Sequence, residues 1–157
     1  MEHIAYIGLG SNVGDRLGTL RRALELLASR RDIHIRRLSR FIATEPVGPP
    51  QARFLNAVAR VDTALEPQAL LDRMHEAETA LGRDRTKEIH HGPRTCDLDL
   101  LLMNAIVLDT PTLTLPHPRM HERYFVLGPL AQIAAQVIHP VLGKTIQQLL
   151  DELEQRP

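Results

Sequence analysis

The chain is poor in aromatic rings, in cysteine and in net charge. Five of its 157 residues are aromatic (three Phe, two Tyr, no Trp), and nineteen Lys plus Arg balance nineteen Asp plus Glu. A nucleic-acid surface built on excess basic charge and base stacking therefore has little support, and any bound anion is expected to be small. A single cysteine, Cys96, excludes an internal disulfide and a thiolate metal cluster. It suits a reducing compartment, so a cytoplasmic location is expected. No apolar run approaches the ~18 residues of a membrane span, and Met1–Gly8 carries no basic leader segment. Neither nucleic acid nor membrane is an expected partner.

What is present is ordinary for a packed domain: 43% apolar and 24% charged residues. The length supports one substantial core, so residues 1–157 are read as a single domain, with a monomer expected. Seventeen of the nineteen basic residues are Arg, only Lys87 and Lys144 being Lys. That bias fits bidentate phosphate recognition, and equally a biased genome composition.

Periodicity orders the chain. Residues 3–10 read as a strand, and Leu17, Leu20, Leu24 and Leu27 recur at helical spacing to about Arg30. Residues 33–43 and 54–63 read as two more strands, separated by the Pro- and Gly-rich loop 44–53. Pro67 opens a second helix with an apolar stripe at Leu70, Leu71, Met74, Ala77 and Leu81, and Gly82 ends it. After a polar loop from Arg83 to Thr95 comes a fourth strand, 97–103. The order βαββαβ predicts an α+β, ferredoxin-like core: an antiparallel sheet with two helices on one face and the other face free. Short strands at 106–108 and 113–115 and helices near 124–135 and 145–155 are expected to follow.

The strongest chemical signal is Gly92-Pro-Arg-Thr-Cys-Asp-Leu-Asp99. A strand's period of two puts Asp97 and Asp99 on one face, roughly 6 to 7 Å apart, with Cys96, Leu98 and Leu100 turned to the core. Hard cations such as Mg²⁺ take carboxylate and phosphate oxygens, and two of them about 4 Å apart can clamp a phosphate chain. A bare D-x-D can also be a solvated strand end. Here Arg94 lies three residues upstream and Arg83, Arg85 and Lys87 sit in the same loop, the charge pattern of phosphoryl-type transfer.

Other motifs are weaker. Gly8-Leu-Gly-Ser-Asn-Val-Gly14 follows a strand and precedes a helix, but its third glycine is one position late for a dinucleotide fingerprint. Ser11 or Asn12 capping the first helix is the structural expectation. His117 and His121 have H-x-x-x-H spacing, yet Leu115-Pro-His-Pro118 argues against one helix carrying both, so zinc is not expected.

Taken together, Gly10-Ser-Asn12, Thr44-Glu-Pro-Val-Gly48, Phe54-Leu-Asn56, Gly82-Arg83, Gly92–Asp99, Leu115-Pro-His117 and Arg123-Tyr-Phe125 resemble, in order and spacing, the 6-hydroxymethyl-7,8-dihydropterin pyrophosphokinase family of folate biosynthesis. The likeness runs from Ile4 to about Ile146. It implies transfer of the pyrophosphoryl group of ATP to the pterin hydroxymethyl oxygen, giving AMP and the pterin diphosphate, with two Mg²⁺ per site. By matching position it implies Asp97 and Asp99 as metal ligands, and Arg83 and Arg94 as catalytic braces on the phosphates. Glu78, Arg85, Leu100, Thr114, His117 and Arg123 are implied as further ATP contacts. Thr44, Glu45, Val47, Asn56, Asp97 and Arg123 are implied at the pterin, which would lie between Phe54 and Phe125. His75, one turn before Glu78, is left open.

The sequence departs from the family at His91, where an aromatic residue is usual, at Thr112, where Arg can help hold phosphates, and at Pro118. The loops 44–53 and 83–95 are expected to close over the substrates. Two other classes compete: a ferredoxin-like module that binds a small ligand without reacting, and a single-stranded RNA binder on the open sheet face, which the aromatic count and neutral charge disfavour.

Overall fold

The computed structural model of the chain describes residues 3–46, 48–83, 86, 92 and 95–156. Strand β1 (His3–Ser11) turns Ala5, Ile7 and Leu9 to one face and Tyr6, Gly8 and Gly10 to the other, as strict alternation requires. It is central, antiparallel to β4 (Phe54–Thr63) on one side and β5 (Asp97–Met103) on the other. Outside β4 lie β2 (Ile33–Leu38) and β3 (Ile42–Thr44).

The single strand expected over 33–43 is thus two. Its register against β4 slips between Ile35 and Arg37, and Leu38↔Ala59 followed by Ile42↔Asn56 sets four residues against three. At the break the Ser39 hydroxyl accepts from Val58 N at 2.8 Å while Ser39 N donates to Val58 O, so a side chain replaces part of the ladder. Bulges of this kind bend an edge.

Helices α1 (Arg16–Ala28) and α2 (Pro67–Ala80) bury Leu20, Ala23, Leu27, Leu70, Met74 and Ala77 on the face of Ile7, Leu9, Val61, Leu98 and Leu100. The expected cap at Ser11 or Asn12 is corrected to Asp15, whose side chain accepts from Gly18 N. The reason is a turn: Gly14, at φ +67°, puts the cap three residues beyond Asn12, and Asn12 instead braces the loop before β4 by donating to Gln51 and Ala52 O. At the end of α2, Gly82 adopts φ +91° while Gly82 N and Arg83 N bond back to Thr79 O and Glu78 O, a Schellman turn.

The second face is not wholly free. Helices α3 (Tyr124–Ala134) and α4 (Ile146–Glu154) pack Val126, Leu127, Leu130, Ile133, Ile146, Leu149 and Leu150 onto Tyr6, Val58, Leu101 and Leu102. So apolar a pair must bury its stripe, and this half-face is the surface on offer. Thr145 and Gln148 close a capping box at the start of α4. The expected strands at 106–108 and 113–115 form a separate two-residue hairpin, β6 (Leu108–Asp109) with β7 (Thr114–Leu115).

Candidate active site

What α3 and α4 leave uncovered is the other half of that face. Asp97 and Asp99 stand there on β5, while Cys96, Leu98 and Leu100 are buried on the opposite side as the alternation demands. Desolvation, reinforced by the Asp97 carboxylate, pushes the Asp99 carboxyl up to about 7. Two hard-oxygen carboxylates that repel one another suit a divalent cation such as Mg²⁺. Among the described residues no group of three His, Cys, Asp or Glu could hold a metal ion, and Mg²⁺ commonly takes one or two carboxylates together with substrate phosphates and water.

Arg83 is delivered by the Schellman turn. Its guanidinium is buried, donating to the Glu78 carboxylate, to Asp97 Oδ1 at 2.9 Å and to Cys96 O at 3.3 Å. Glu78 also accepts from Leu98 N at 2.9 Å, so the carboxylate ties α2 to β5 and holds Arg83 against Asp97. At 1% exposure Glu78 does not line the cavity; His75, one turn earlier, does. The sequence reading included Glu78 as an ATP contact and left His75 open, because an i, i+3 pair does not reveal which member points under the sheet. Burial, with Glu78 and Asp97 alongside, pushes the Cys96 thiol up to about 12, which makes it inert.

Phe54 and Asn56 enter from the start of β4 and Thr44 from β3, where Asn56 Nδ2 donates to Thr44 Oγ1. Phe125, in the first turn of α3, lines the same cavity, with the Arg123 guanidinium 5.6 Å from its ring centre. Both rings are half-buried, Phe125 packing in part against the core beneath α3. His117 accepts at Nδ1 from Arg119 N at 3.2 Å, and burial, followed by the charge of Arg123, lowers it to about 4. It is therefore a neutral ring at pH 7 with its proton on Nε2, a donor and not a cation.

These groups line one cavity of about 720 Å³ that includes Thr44, Glu45, Phe54, Asn56, Arg83, Asp97, Asp99, Leu100, Thr114, His117, Arg123 and Phe125. The volume is in the range of small-molecule sites. Val47, Arg85 and Arg94 lie outside the described residues. The sequence reading passed over Arg119, Glu122 and Thr110, which also line the cavity. Arg119 was detectable as a guanidinium two residues from His117, whereas Thr110 carried no signal of its own. Thr112 lies on the wall too, its hydroxyl bonded to Gln68.

Residues 6–135 match the family model of 7,8-dihydro-6-hydroxymethylpterin-pyrophosphokinase (HPPK). The chain belongs to the HPPK family. It is 48% identical over 138 residues to the 2-amino-4-hydroxy-6-hydroxymethyldihydropteridine pyrophosphokinase of Bacillus subtilis, covering 87% of this chain and 81% of that one. A Synechocystis protein of the same name is 39% identical over 152 residues, 97% of this chain and 77% of its own. Among solved structures, wild-type Plasmodium falciparum HPPK-DHPS with pteroate superposes with a TM-score of 0.74 at 16% identity, over 96% of this chain. Only 42% of that longer chain is spanned, so the likeness concerns the fold. The ferredoxin-like arrangement is thus shared with other HPPK chains.

Proposed function

We propose that the cavity is the site of an ATP-dependent pyrophosphokinase of folate biosynthesis acting on 6-hydroxymethyl-7,8-dihydropterin. The pterin hydroxymethyl oxygen attacks the β-phosphorus of ATP, the bond from that phosphorus to the α,β-bridging oxygen breaks, and AMP leaves as the hydroxyl proton is lost. The observation that carries this reading is the meeting of Asp97 and Asp99 with two half-buried rings, Phe54 and Phe125, in one cavity. A binding module without chemistry would need the rings but not the carboxylates.

Asp97 and Asp99 would hold two Mg²⁺, which when bound supply charge neutralisation along the triphosphate. Arg83 fixes Asp97 in place and sets a positive charge in the wall of the cavity, toward which a phosphate would be drawn. Neutral His117 donates to phosphate without adding charge. Phe54 and Phe125 grip the flat heterocycle by stacking, and Asn56 with Thr44 supplies the directional bonds that select a pterin over another planar ring. Arg85 and Arg94 belong to the same proposal as further phosphate contacts, Val47 as a pterin contact, and the 157 residues as one catalytic domain.

A monomer working in the cytoplasm, without nucleic acid, is also proposed, on the lone cysteine and the balanced charge. No helix of the described residues is long and apolar enough to cross a membrane. The test is chromatographic: with ATP, Mg²⁺ and the pterin, AMP and pterin diphosphate should appear in equal amounts. ADP as the nucleotide product, or no turnover by a protein that still binds pterin, overturns the proposal.

A further inference from the structure

Two glycines occupy the uncovered face of the central strand. Gly10 is paired with Asn56 on one side and Asp97 on the other; two residues earlier, Gly8 is paired with Val58 and Asp99. Glycine in a strand interior weakens the strand, so its presence usually marks a close approach. The two positions differ in what a side chain would meet. A Cβ on Gly8 would touch Leu101 Cδ1 at 3.6 Å and Asp99 Cβ at 3.8 Å, ordinary contacts. A Cβ on Gly10 would lie 2.9 Å from Asn56 Oδ1 and 3.6 Å from Phe54 Cδ1.

Asn56 has little freedom to retreat. Its side chain is 7% exposed, its strand is bonded on both sides, and its amide nitrogen is held by Thr44 Oγ1. A methyl group at position 10 would rotate the amide away and change which of its atoms faces the cavity. Neither glycine lines the cavity itself.

We propose that Gly10 is a positioning residue for pterin recognition: the missing side chain lets the Asn56 amide take the place from which it reads the heterocycle. The inference rests on the pterin placement given above. It concerns specificity, and leaves the phosphate end of the site untouched.

The experiment is a double-mutant cycle, with pterin affinity read from 6-hydroxymethylpterin fluorescence in the presence of Mg²⁺ and a non-hydrolysable ATP analogue. Gly10→Ala should weaken pterin binding about tenfold or more while nucleotide affinity changes less than about twofold, and Gly8→Ala should change neither. In an Asn56→Ala background, adding Gly10→Ala should have no further effect on pterin affinity, the signature of two positions acting through one contact. Additive losses, or equal losses for pterin and nucleotide, would overturn the proposal.

If Gly10→Ala alone does not fold, Asn56→Ala should restore folding by removing the clashing atom, and failure of the double variant to fold would overturn the proposal too. Phe54→Ala separates the two levels of inference. Unchanged pterin affinity in that variant contradicts the pterin placement itself, whereas a loss there with none in Gly10→Ala contradicts only the role of Gly10.

Discussion

Along three neighbouring strands, one face of the sheet changes character within two residues. On the side covered by α3 and α4, β1 offers Tyr6, β4 offers Val58 and β5 offers Leu101. One step along the same strands the same face carries Gly8 and Gly10, Asn56, and Asp99 with Asp97. Between β1 and β4 the backbone pairing runs through both halves, whereas between β1 and β5 the register slips between Tyr6 and Ile7, so that a bulge at Leu101 marks the junction. The covered half contributes burial, and the uncovered half is stripped of bulk and supplied with carboxylates. Stability and chemistry are therefore neighbours on one scaffold, with rigid strands on which to hold the reacting groups.

The comparison breaks most readily at Asp99. Asp99→Ala should lower turnover by orders of magnitude while the melting temperature stays the same or rises, because a desolvated carboxyl beside another carboxylate is removed. Turnover near wild type would place the chemistry elsewhere. In the covered half the effect should invert: Leu130, fully buried on α3, replaced by Ala should reduce stability by about 2–5 kcal/mol in urea unfolding, with kcat per folded molecule retained. A smaller change is expected for Phe54→Ala, a loss of pterin affinity of about tenfold with little change in melting temperature, since the ring is half-buried.

The smallest effect belongs to neither half. The Arg73 guanidinium forks onto Asp32 at 2.6 and 3.2 Å and holds its carboxyl below the usual carboxylate range. A depressed pKa stabilises at neutral pH and loses that contribution as pH falls through the folded-state value. Asp32→Asn should therefore lower the melting temperature slightly at pH 7, and the gap from wild type should close in acid. A gap independent of pH would show the ion pair to be irrelevant.

The uncovered half was the more legible in the sequence. Asp97 and Asp99 fall on one face by the period of two, and the family motifs point to Phe54, Asn56, His117, Arg123 and Phe125, all of which reach the cavity. Gly82 announced the turn that carries Arg83 back to Glu78. What escaped was tertiary. That Glu78 lies under β5 depends on which way α2 rolls, and the split between β2 and β3 depends on one hydroxyl, Ser39, finding Val58 N. The cap at Asp15 was missed because Gly14 delays the helix. The cover provided by α3 and α4 was invisible to a pattern that ends at the fourth strand of the βαββαβ unit.

We propose that Asp97 and Asp99 together form a divalent-cation site for a nucleotide. The most direct test is a calorimetric titration of a non-hydrolysable ATP analogue into wild type, Asp97→Asn and Asp99→Asn, each with and without Mg²⁺. Affinity that rises with Mg²⁺ in wild type and loses most of that rise in both variants, at unchanged melting temperature, is the predicted result. An equal Mg²⁺ dependence in all three proteins would contradict it.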